Sequence, residues 1–294
     1  MKDRCRFCHQ PSLTKFLTSK KRILVQCKNC SLVFFYPFPS KKQIKAIYTT
    51  KAFGVFNPQD KTKAGYDNYL TEERLWQAFF KKRLKLIKKY KNKGKLLDLG
   101  CGVGTFLLEA RQAGFYPYGV DIMEFAVKLC RKRGLKTVFQ NDFSKLKFLK
   151  MSFDVITIQH TLEHLSDPLS LLRQARTLLK SKGILLVSVP DRKSIIATLM
   201  GKFWYDYYHY QHLYFFESKT LSNYIKKAGF KILASGKKQL GWCFIENALS
   251  RIRLYYSNPL LLNVTKAGET IARFINLKSI PFLNGEVWIV GIKE

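Results

Sequence analysis

The chain has 294 residues, of which 47% are apolar and 14% aromatic. It is long enough for one large domain with an appendage or for two domains, and no apolar run approaches the roughly 18 residues needed to span a bilayer. Because the N-terminus also lacks the apolar core of a signal peptide, we expect a soluble, cytoplasmic protein rather than a membrane-spanning or exported one.

The charge is strongly basic, with 52 Lys and Arg residues against 20 Asp and Glu residues and a net charge of +32. The basic residues are spread along the chain, with one dense run at residues 81–95. This pattern fits a lysine-rich proteome background, a nucleic-acid footprint, or attraction to an anionic membrane or a phosphate-bearing substrate. The charge alone therefore does not select a partner.

Two C-x2-C pairs lie near the N-terminus, Cys5 with Cys8 and Cys27 with Cys30. Their spacing lets two turns present four thiolates tetrahedrally to a structural zinc ion. Two disulfides are the alternative, which a cytosolic chain disfavours. We predict a small zinc ribbon over residues 1–40. The other cysteines are scattered and are expected to be small buried apolar residues.

Residues 41–93 are predicted to form a helical linker or lid. Apolar side chains from Leu75 to Tyr90 recur at helical spacing, and Thr71 is a plausible N-cap. The resulting amphipathic helix either packs on the following domain with its basic face in solvent, or contacts a membrane surface.

From residue 94 to residue 294 the pattern alternates between strand and helix. Strands are predicted at residues 95–99, 116–121, 135–139, 153–159, 183–189, 230–236 and 286–294. Helices are predicted at residues 104–113, 123–133, 168–180 and 218–229. This alternation favours a doubly wound α/β sheet with helices on both faces. An aromatic lid is predicted at residues 191–217 and a helical insertion at residues 238–284.

The turn after the first strand of this domain reads Asp98-Leu-Gly100-Cys-Gly102-Val-Gly104. In open α/β sheets the first strand-to-helix turn is the usual ligand contact. The third glycine of a dinucleotide fingerprint would fall at Thr105, so the spacing here is G-x-G-x-G instead. A plain tight turn and a nicotinamide-binding turn are the alternatives.

Four segments, in this order, resemble motifs of the class I S-adenosylmethionine-dependent methyltransferases: LLDLGCGVGTFL, GVDI, NDF and SFDVITIQHTLEHLSDP. The resemblance covers residues 94–230 and implies a Rossmann-like, seven-stranded sheet that binds S-adenosylmethionine. It implies that Asp98 faces the cofactor's amino group, Asp121 its ribose hydroxyls and Asp142 its adenine. The full set of implied cofactor residues is Asp98, Gly100, Cys101, Gly102, Gly104, Asp121, Ile122, Asp142, Phe143 and Gln159.

The segment QHTLEH supplies the first candidate catalytic residues, His160, Glu163 and His164. It resembles a segment of the quinone-biosynthesis O-methyltransferases that carries acidic and histidine metal ligands, with His160 standing where an acid is expected. These residues could hold a divalent ion or accept a proton. A capping or packing role is the alternative.

The second candidate group lies in FWYDYYHYQHLYFF, residues 203–216. A zinc ribbon followed by this core resembles the deoxysugar C-methyltransferases, whose Tyr-x-His pair assists proton removal next to a carbonyl. Tyr210 and His212 match that pair. The alternative is a hydrophobic lid in which His209 and His212 are core histidines.

The predicted function is methyl transfer from S-adenosylmethionine to a small-molecule, sugar or lipid-like acceptor. An RNA-modifying methyltransferase or a non-catalytic RNA-binding module is an alternative, although the Pro-Cys and Asn/Asp-Pro-Pro-aromatic signatures of nucleic-acid base methyltransferases are absent. An NAD-dependent oxidoreductase is a further alternative. Peripheral contact with an anionic membrane also remains open.

Overall fold

The computed structural model describes residues 4–18, 22–40, 42–44, 73–143, 148, 150–209, 211–238, 241–244, 263–264, 266–268, 270–271, 279–282 and 285–294. The strands are β1 (Leu13–Thr18), β2 (Ile23–Cys27), β3 (Val33–Tyr36), β4 (Gly94–Leu99), β5 (Phe115–Asp121), β6 (Val138–Gln140), β7 (Phe153–Gln159), β8 (Leu179–Pro190), β9 (Tyr214–Phe215), β10 (Lys231–Lys238), β11 (Gly241–Phe244), β12 (Ser279–Phe282) and β13 (Glu286–Ile292). The helices are α1 (Glu73–Lys88), α2 (Thr105–Gln112), α3 (Glu124–Lys132), α4 (Pro168–Leu178), α5 (Ile195–Met200) and α6 (Ser218–Lys227).

The central sheet has seven strands in the order β10-β13-β8-β7-β4-β5-β6. Strands β4 to β8 of this sheet pair in parallel, whereas β13 runs antiparallel to both of its neighbours. The sequence prediction of a doubly wound seven-stranded α/β sheet is therefore confirmed. The strand order reverses between β4 and β7, so their carboxyl ends border a crevice where such sheets bind ligands.

Apolar residues cover both faces of this sheet. Leu97 and Ile156 belong to one buried cluster, whereas their chain neighbours Leu96 and Val155 belong to the cluster on the opposite face. This alternation is the period of two expected of strands buried on both sides. Helix α1 packs into the second cluster, as its amphipathic pattern predicts, with the Phe80 ring 5.3 Å from that of Phe106. In the part of the chain described, no helix is both long and apolar enough to cross a bilayer.

A second sheet joins the N-terminus to the aromatic segment, with the order β1-β2-β3-β9. Strand β9 pairs with β3 through Val33 opposite Phe215 and Phe34 opposite Tyr214. The backbone N–H of Phe35 also donates to the Leu213 carbonyl at 2.9 Å. The N-terminal segment and the predicted lid therefore share one hydrogen-bonded sheet, a contact that sequence spacing does not indicate.

Three predicted elements differ from the structure. Strand β8 begins at Leu179, within the helix predicted at residues 168–180. Strand β6 starts at Val138, because Leu135 lies in the turn that follows α3, where its N–H donates to the Cys130 carbonyl at 3.0 Å. The insertion at residues 238–284 is not wholly helical: β11 and β12 pair antiparallel near its ends, and helical backbone occurs among residues 263–271. Short aromatic and β-branched runs explain the strands. The proposed N-cap, Thr71, lies outside the described residues.

Candidate functional site

The glycines of the β4–α2 turn serve two purposes. Gly100 has φ 89°, and a Cβ atom there would lie 2.1 Å from Thr161 Oγ1, so only glycine fits beside the end of β7. Gly104 has φ 82°, but a Cβ there would meet Leu135 and Cys130 at 2.6–2.7 Å. Gly104 thus lets α2 approach α3, while Gly100 and Gly102 shape the edge of the crevice.

Cys101 contributes backbone rather than side chain to this turn. Its thiol is buried in the core cluster beneath the turn, and a Cβ on Gly119 would lie 2.8 Å from its sulfur. The turn is tied to β5 by hydrogen bonds from the N–H groups of Gly100 and Cys101 to the Val120 carbonyl, at 2.8 and 3.1 Å. Any contact of Cys101 with the predicted cofactor would therefore be made by its main chain and not by its thiol.

Asp98 ends β4 beside Thr157 of β7, whose hydroxyl donates to Asp98 Oδ1 at 2.6 Å. Burial raises the pKa of Asp98 to about 7, and the charge of Asp121 also raises it, while the polar side chains of Thr157 and Gln159 lower it. Both amide atoms of Gln159 are buried and lack a hydrogen bond of standard geometry among the described residues, although the side chain lies close enough to Asp98 to lower the pKa of that carboxyl. Since buried amides are rarely left unpaired, this position is suited to contact a polar ligand.

Asp121 ends β5 and is 4% exposed. Its Oδ2 atom accepts from the N–H of Gly102 at 2.8 Å and its Oδ1 atom from the N–H of Met123 at 2.9 Å. Burial raises the pKa of this carboxyl. Each of the two carboxylate oxygens has two lone-pair positions and uses one of them for the contact above. Each therefore retains one position that can accept from one of two vicinal hydroxyl groups.

The remaining predicted cofactor residues lie along the same sheet edge. The Gln140 amide donates to the Ile122 carbonyl at 3.3 Å, and the Asn141 N–H donates to the Asp121 carbonyl at 3.1 Å. Asp142 follows in an exposed position, and Phe143 is half-buried against the core. The chain thereby brings the β6 end next to Asp121.

A buried acid and two histidines meet just past the end of β7. One ligand atom each of Glu163, His164 and His212 lies within 4.8 Å of the others. Glu163 is 1% exposed, and neither carboxylate oxygen has a hydrogen-bond partner among the described residues. Burial raises the pKa of Glu163 to about 7, although the charge of His160 lowers it.

The histidines of this cluster differ in their surroundings. His164 Nδ1 lies 3.2 Å from the Gln211 carbonyl, which fixes Nδ1–H as the donor and leaves Nε2 bare, 3.8 Å from Glu163 Oε1. Burial lowers the pKa of His164 to about 4, so the ring is neutral at pH 7. His212 stacks on His209 with ring centroids 4.3 Å apart, and its Nδ1 lies 3.8 Å from Asp206. Two imidazoles and a carboxylate can accept a proton or hold a divalent ion.

His160 has a separate partner, Glu286 of β13. Its Nε2 lies 2.9 Å from Glu286 Oε2, and Arg83 of α1 donates to the other Glu286 oxygen. Burial acts to lower the pKa of His160, but the hydrogen bond and charge of Glu286 and the charge of Glu163 raise it overall. His160 therefore links α1, β7 and β13, and it is not among the grouped ligand atoms of Glu163, His164 and His212.

The loop that carries His209 and His212, called the histidine loop from here on, is supported by the N-terminal sheet. The buried Arg22 guanidinium donates to the carbonyls of Tyr207, His209 and His212, the first at 3.2 Å and the last at 2.6 Å. The Leu213 N–H donates to the Glu163 carbonyl at 2.8 Å. These main-chain contacts fix His209 and His212 relative to the β7 end. The predicted partner Tyr210 lies outside the described residues.

The four N-terminal cysteines come together as their spacing predicts. The sulfur of Cys5 lies 3.5 Å from that of Cys30, and the sulfur of Cys8 lies 3.5 Å from that of Cys27. These separations are far longer than a disulfide bond and near the roughly 3.8 Å edge of a tetrahedron with 2.3 Å zinc–sulfur bonds. The two turns are alike: His9 and Ser31, each just past a pair, have φ of 61° and 64°. The cluster is therefore a candidate zinc site.

Four residues of the candidate site were not predicted from the sequence. Thr157 was detectable, because it lies two positions before Gln159 on one face of β7. Arg22, Asp206 and Glu286 carry no local pattern, since each acquires its partner from a distant part of the chain.

Residues 70–235, more than half of the chain, match a family described as a methyltransferase domain. An uncharacterized protein of Methanocaldococcus jannaschii is 26% identical over 175 residues, which cover 60% of this chain and 82% of that protein. The ubiquinone biosynthesis O-methyltransferase of Bordetella pertussis is 30% identical over 115 residues, 36% of this chain. Those residues span 48% of that enzyme, so the match extends over about half of its length.

A solved S-adenosylmethionine-dependent methyltransferase from Thermotoga maritima superposes with a TM-score of 0.54 at 22% identity, covering 78% of this chain and 94% of that one. At this identity the likeness concerns the fold alone. Together with the family match and the seven-stranded sheet, it confirms the fold expected from the four sequence motifs. The chain belongs to the methyltransferase-domain family and has the class I S-adenosylmethionine-dependent methyltransferase fold.

Proposed function

We propose that the chain transfers a methyl group to a small-molecule, sugar or lipid-like acceptor, with the cluster of Glu163, His164 and His212 receiving the acceptor's proton. The observation that carries this proposal is the buried, unpaired Glu163 carboxylate beside two imidazoles, directly past the strand that carries Gln159. Buried ionisable groups of this kind are typical of sites that move protons.

The residues at the β4, β5 and β7 ends fit S-adenosylmethionine. Asp98 and the unpaired Gln159 amide would bind its amino acid portion, and Asp121 its ribose hydroxyls. The turn at Gly100 and Gly102 allows close approach of the main chain, and Asp142 with Phe143 would contact the adenine. When bound, this cofactor supplies a methyl group on a sulfonium, so the protein must mainly position the acceptor in line with it.

Proton removal is the chemical task left to the side chains. His212 is the proposed base, because it lies in the cluster with Glu163 and His164 and has Asp206 near its Nδ1 atom, 3.8 Å away. An acid beside one ring nitrogen orients the imidazole and stabilises its protonated form. His164 and Glu163 form the second pair, while His160, held by Glu286, is assigned a positioning role. Tyr210 remains the proposed partner of His212.

The N-terminal cysteines are proposed to hold zinc with a structural role. Four thiolates complete the tetrahedral coordination, which leaves no open position for a substrate. The bound ion would stabilise β1 to β3, and hence the Arg22 contacts that support the histidine loop. The relatives named ubiquinone biosynthesis O-methyltransferases support methyl transfer to an oxygen atom of a small molecule.

The test is incubation of the zinc-loaded protein with methyl-deuterated S-adenosylmethionine and a cell extract fractionated into small molecules, lipids and RNA, followed by mass spectrometry. We expect label in the small-molecule or lipid fraction. His212→Gln should lower the rate by about 10²–10⁴-fold, the usual contribution of a general base, and leave S-adenosylhomocysteine affinity unchanged. Tyr116→Phe, at an exposed residue at the start of β5 and away from the cluster, is the control.

Three outcomes would contradict the proposal. Label confined to RNA would favour the RNA-modifying alternative. Thermal stabilisation by NADH without stabilisation by S-adenosylhomocysteine would favour an oxidoreductase. Full activity in His212→Gln would remove that residue from proton transfer.

A further inference from the structure

A cavity of about 500 Å³ lies on the outer side of the first cysteine turn, and neither proposed role above uses it. Its walls come from residues 4–9, from the segment 166–173 that begins α4, from Tyr214 of β9 and from Tyr224 of α6. This volume is within the range of small-molecule sites, about 300–1,000 Å³. The cavity is therefore large enough for a nucleotide-sized molecule.

Three arginines face this cavity: Arg4, Arg6 and Arg173. Arg6 is held in place, because its Nε donates to the Tyr214 hydroxyl at 3.2 Å and its guanidinium lies 3.8 Å from the centre of the Phe38 ring. Arg173 makes no hydrogen bond or ion pair with another described residue. At least one guanidinium is thus fixed in orientation, and another is unpaired.

Negative charge on the cavity wall is limited. Asp167 is the acidic side chain of the wall, and its Oδ1 accepts from the N–H of Ser170 at 3.0 Å as the cap of α4. A zinc ion with four thiolates would carry a charge of about −2. Lys227 adds a fourth cation near the turn, since its Nζ donates to the Phe7 carbonyl at 2.9 Å. The four cations therefore exceed these three negative charges by one.

We propose that this cavity binds the phosphate groups of a phosphorylated small molecule. Guanidinium groups match phosphate oxygens in geometry and charge, and the hydroxyls of Ser166 and Ser170 on the same wall are additional donors. Tyr214, Tyr224 and Phe7 form the floor of the cavity, and their rings are almost wholly buried in the core. An RNA strand would instead need a groove that continues along several nucleotides, whereas this cavity is bounded by four separate elements.

The test is titration calorimetry of the full, zinc-loaded chain at constant ionic strength, with pyrophosphate, uridine diphosphate and uridine as probes. We expect saturable one-to-one binding of pyrophosphate or uridine diphosphate, and at least tenfold weaker binding of uridine. Arg173→Gln should weaken binding about tenfold, which is about 1.4 kcal/mol. Arg6→Gln should do the same, with unchanged S-adenosylhomocysteine affinity as the check on folding.

Arg74→Gln is the matched control, because Arg74 is an exposed arginine on α1 that does not line the cavity. Equal weakening by Arg74→Gln and Arg173→Gln would mean unspecific attraction to a basic protein and would overturn the proposal. Binding of a ten-nucleotide RNA without binding of pyrophosphate or uridine diphosphate would also overturn it and indicate a nucleic-acid surface. Because no methyl transfer is measured, this result is independent of the acceptor assignment.

Discussion

The two sides of the crevice are built differently. On the proposed cofactor side, Asp98, Gly100 and Gly102 lie within five residues, and Asp121 contacts their turn directly. On the proposed acceptor side, Glu163, His212 and Arg22 come from three distant segments, joined by hydrogen bonds to main-chain carbonyls. A short motif on a regular sheet fixes the first side, whereas the second depends on long-range contacts with the N-terminal ribbon. A change that disrupts one side should therefore leave the function of the other side intact.

Removing zinc should have the largest effect and should act on the acceptor side only. A chelator, or Cys27→Ser, would release β2 and β3 and with them the Arg22 contacts to the His209 and His212 carbonyls. We expect methyl transfer to fall below detection while S-adenosylhomocysteine affinity changes less than about threefold. Metal content, calorimetry and the transfer assay on the same sample measure this. Parallel loss of both functions would contradict the independence of the two sides.

The buried Glu163 carboxyl should make stability depend on pH. Its pKa is about 7 in the folded protein against an ordinary 4.5, so the folded state binds more protons between these values. The contribution of this carboxyl to stability is then fully present below pH 4.5 and is lost as the pH rises through 7. Relative to Glu163→Gln, the wild type should lose about 3 kcal/mol of unfolding free energy between pH 5 and pH 8.

Urea unfolding at both pH values measures this difference, and effects common to both proteins cancel. Glu124→Gln, at an exposed carboxylate paired with Lys128, should reproduce the wild-type pH dependence. Identical pH dependence in Glu163→Gln and wild type would show that Glu163 is ionised in the folded state.

Asp121→Asn should act on the cofactor side only. The amide retains one acceptor oxygen, so the variant loses charge-assisted hydrogen bonds to the cofactor's hydroxyls and to the N–H groups of Gly102 and Met123. We expect S-adenosylhomocysteine to bind about 100-fold more weakly, or about 2.7 kcal/mol, with the Arg22-supported loop intact. Calorimetry gives the affinity, and amide hydrogen exchange of residues 205–215 reports the loop. Faster exchange there would contradict the separation.

The sequence predicted the central sheet well because its strands are buried on both faces and alternate with helices. It also predicted the four-cysteine cluster, since the spacing of two equivalent turns is a local property. It did not predict that β9 pairs with β3 or that Glu286 binds His160, because those contacts join residues far apart in the chain. The helical prediction for the insertion was wrong at β11 and β12, where runs of four residues are too short for periodicity to separate strand from helix.

The pairing of β3 with β9 joins residues about 180 positions apart. During synthesis the N-terminal ribbon leaves the ribosome early, and its cysteines can bind zinc long before Phe215 has been synthesised. Contacts of such separation form late and slow the overall folding rate. Until then β3 presents an unpaired, apolar strand edge, so the nascent chain carries an aggregation hazard in its first forty residues.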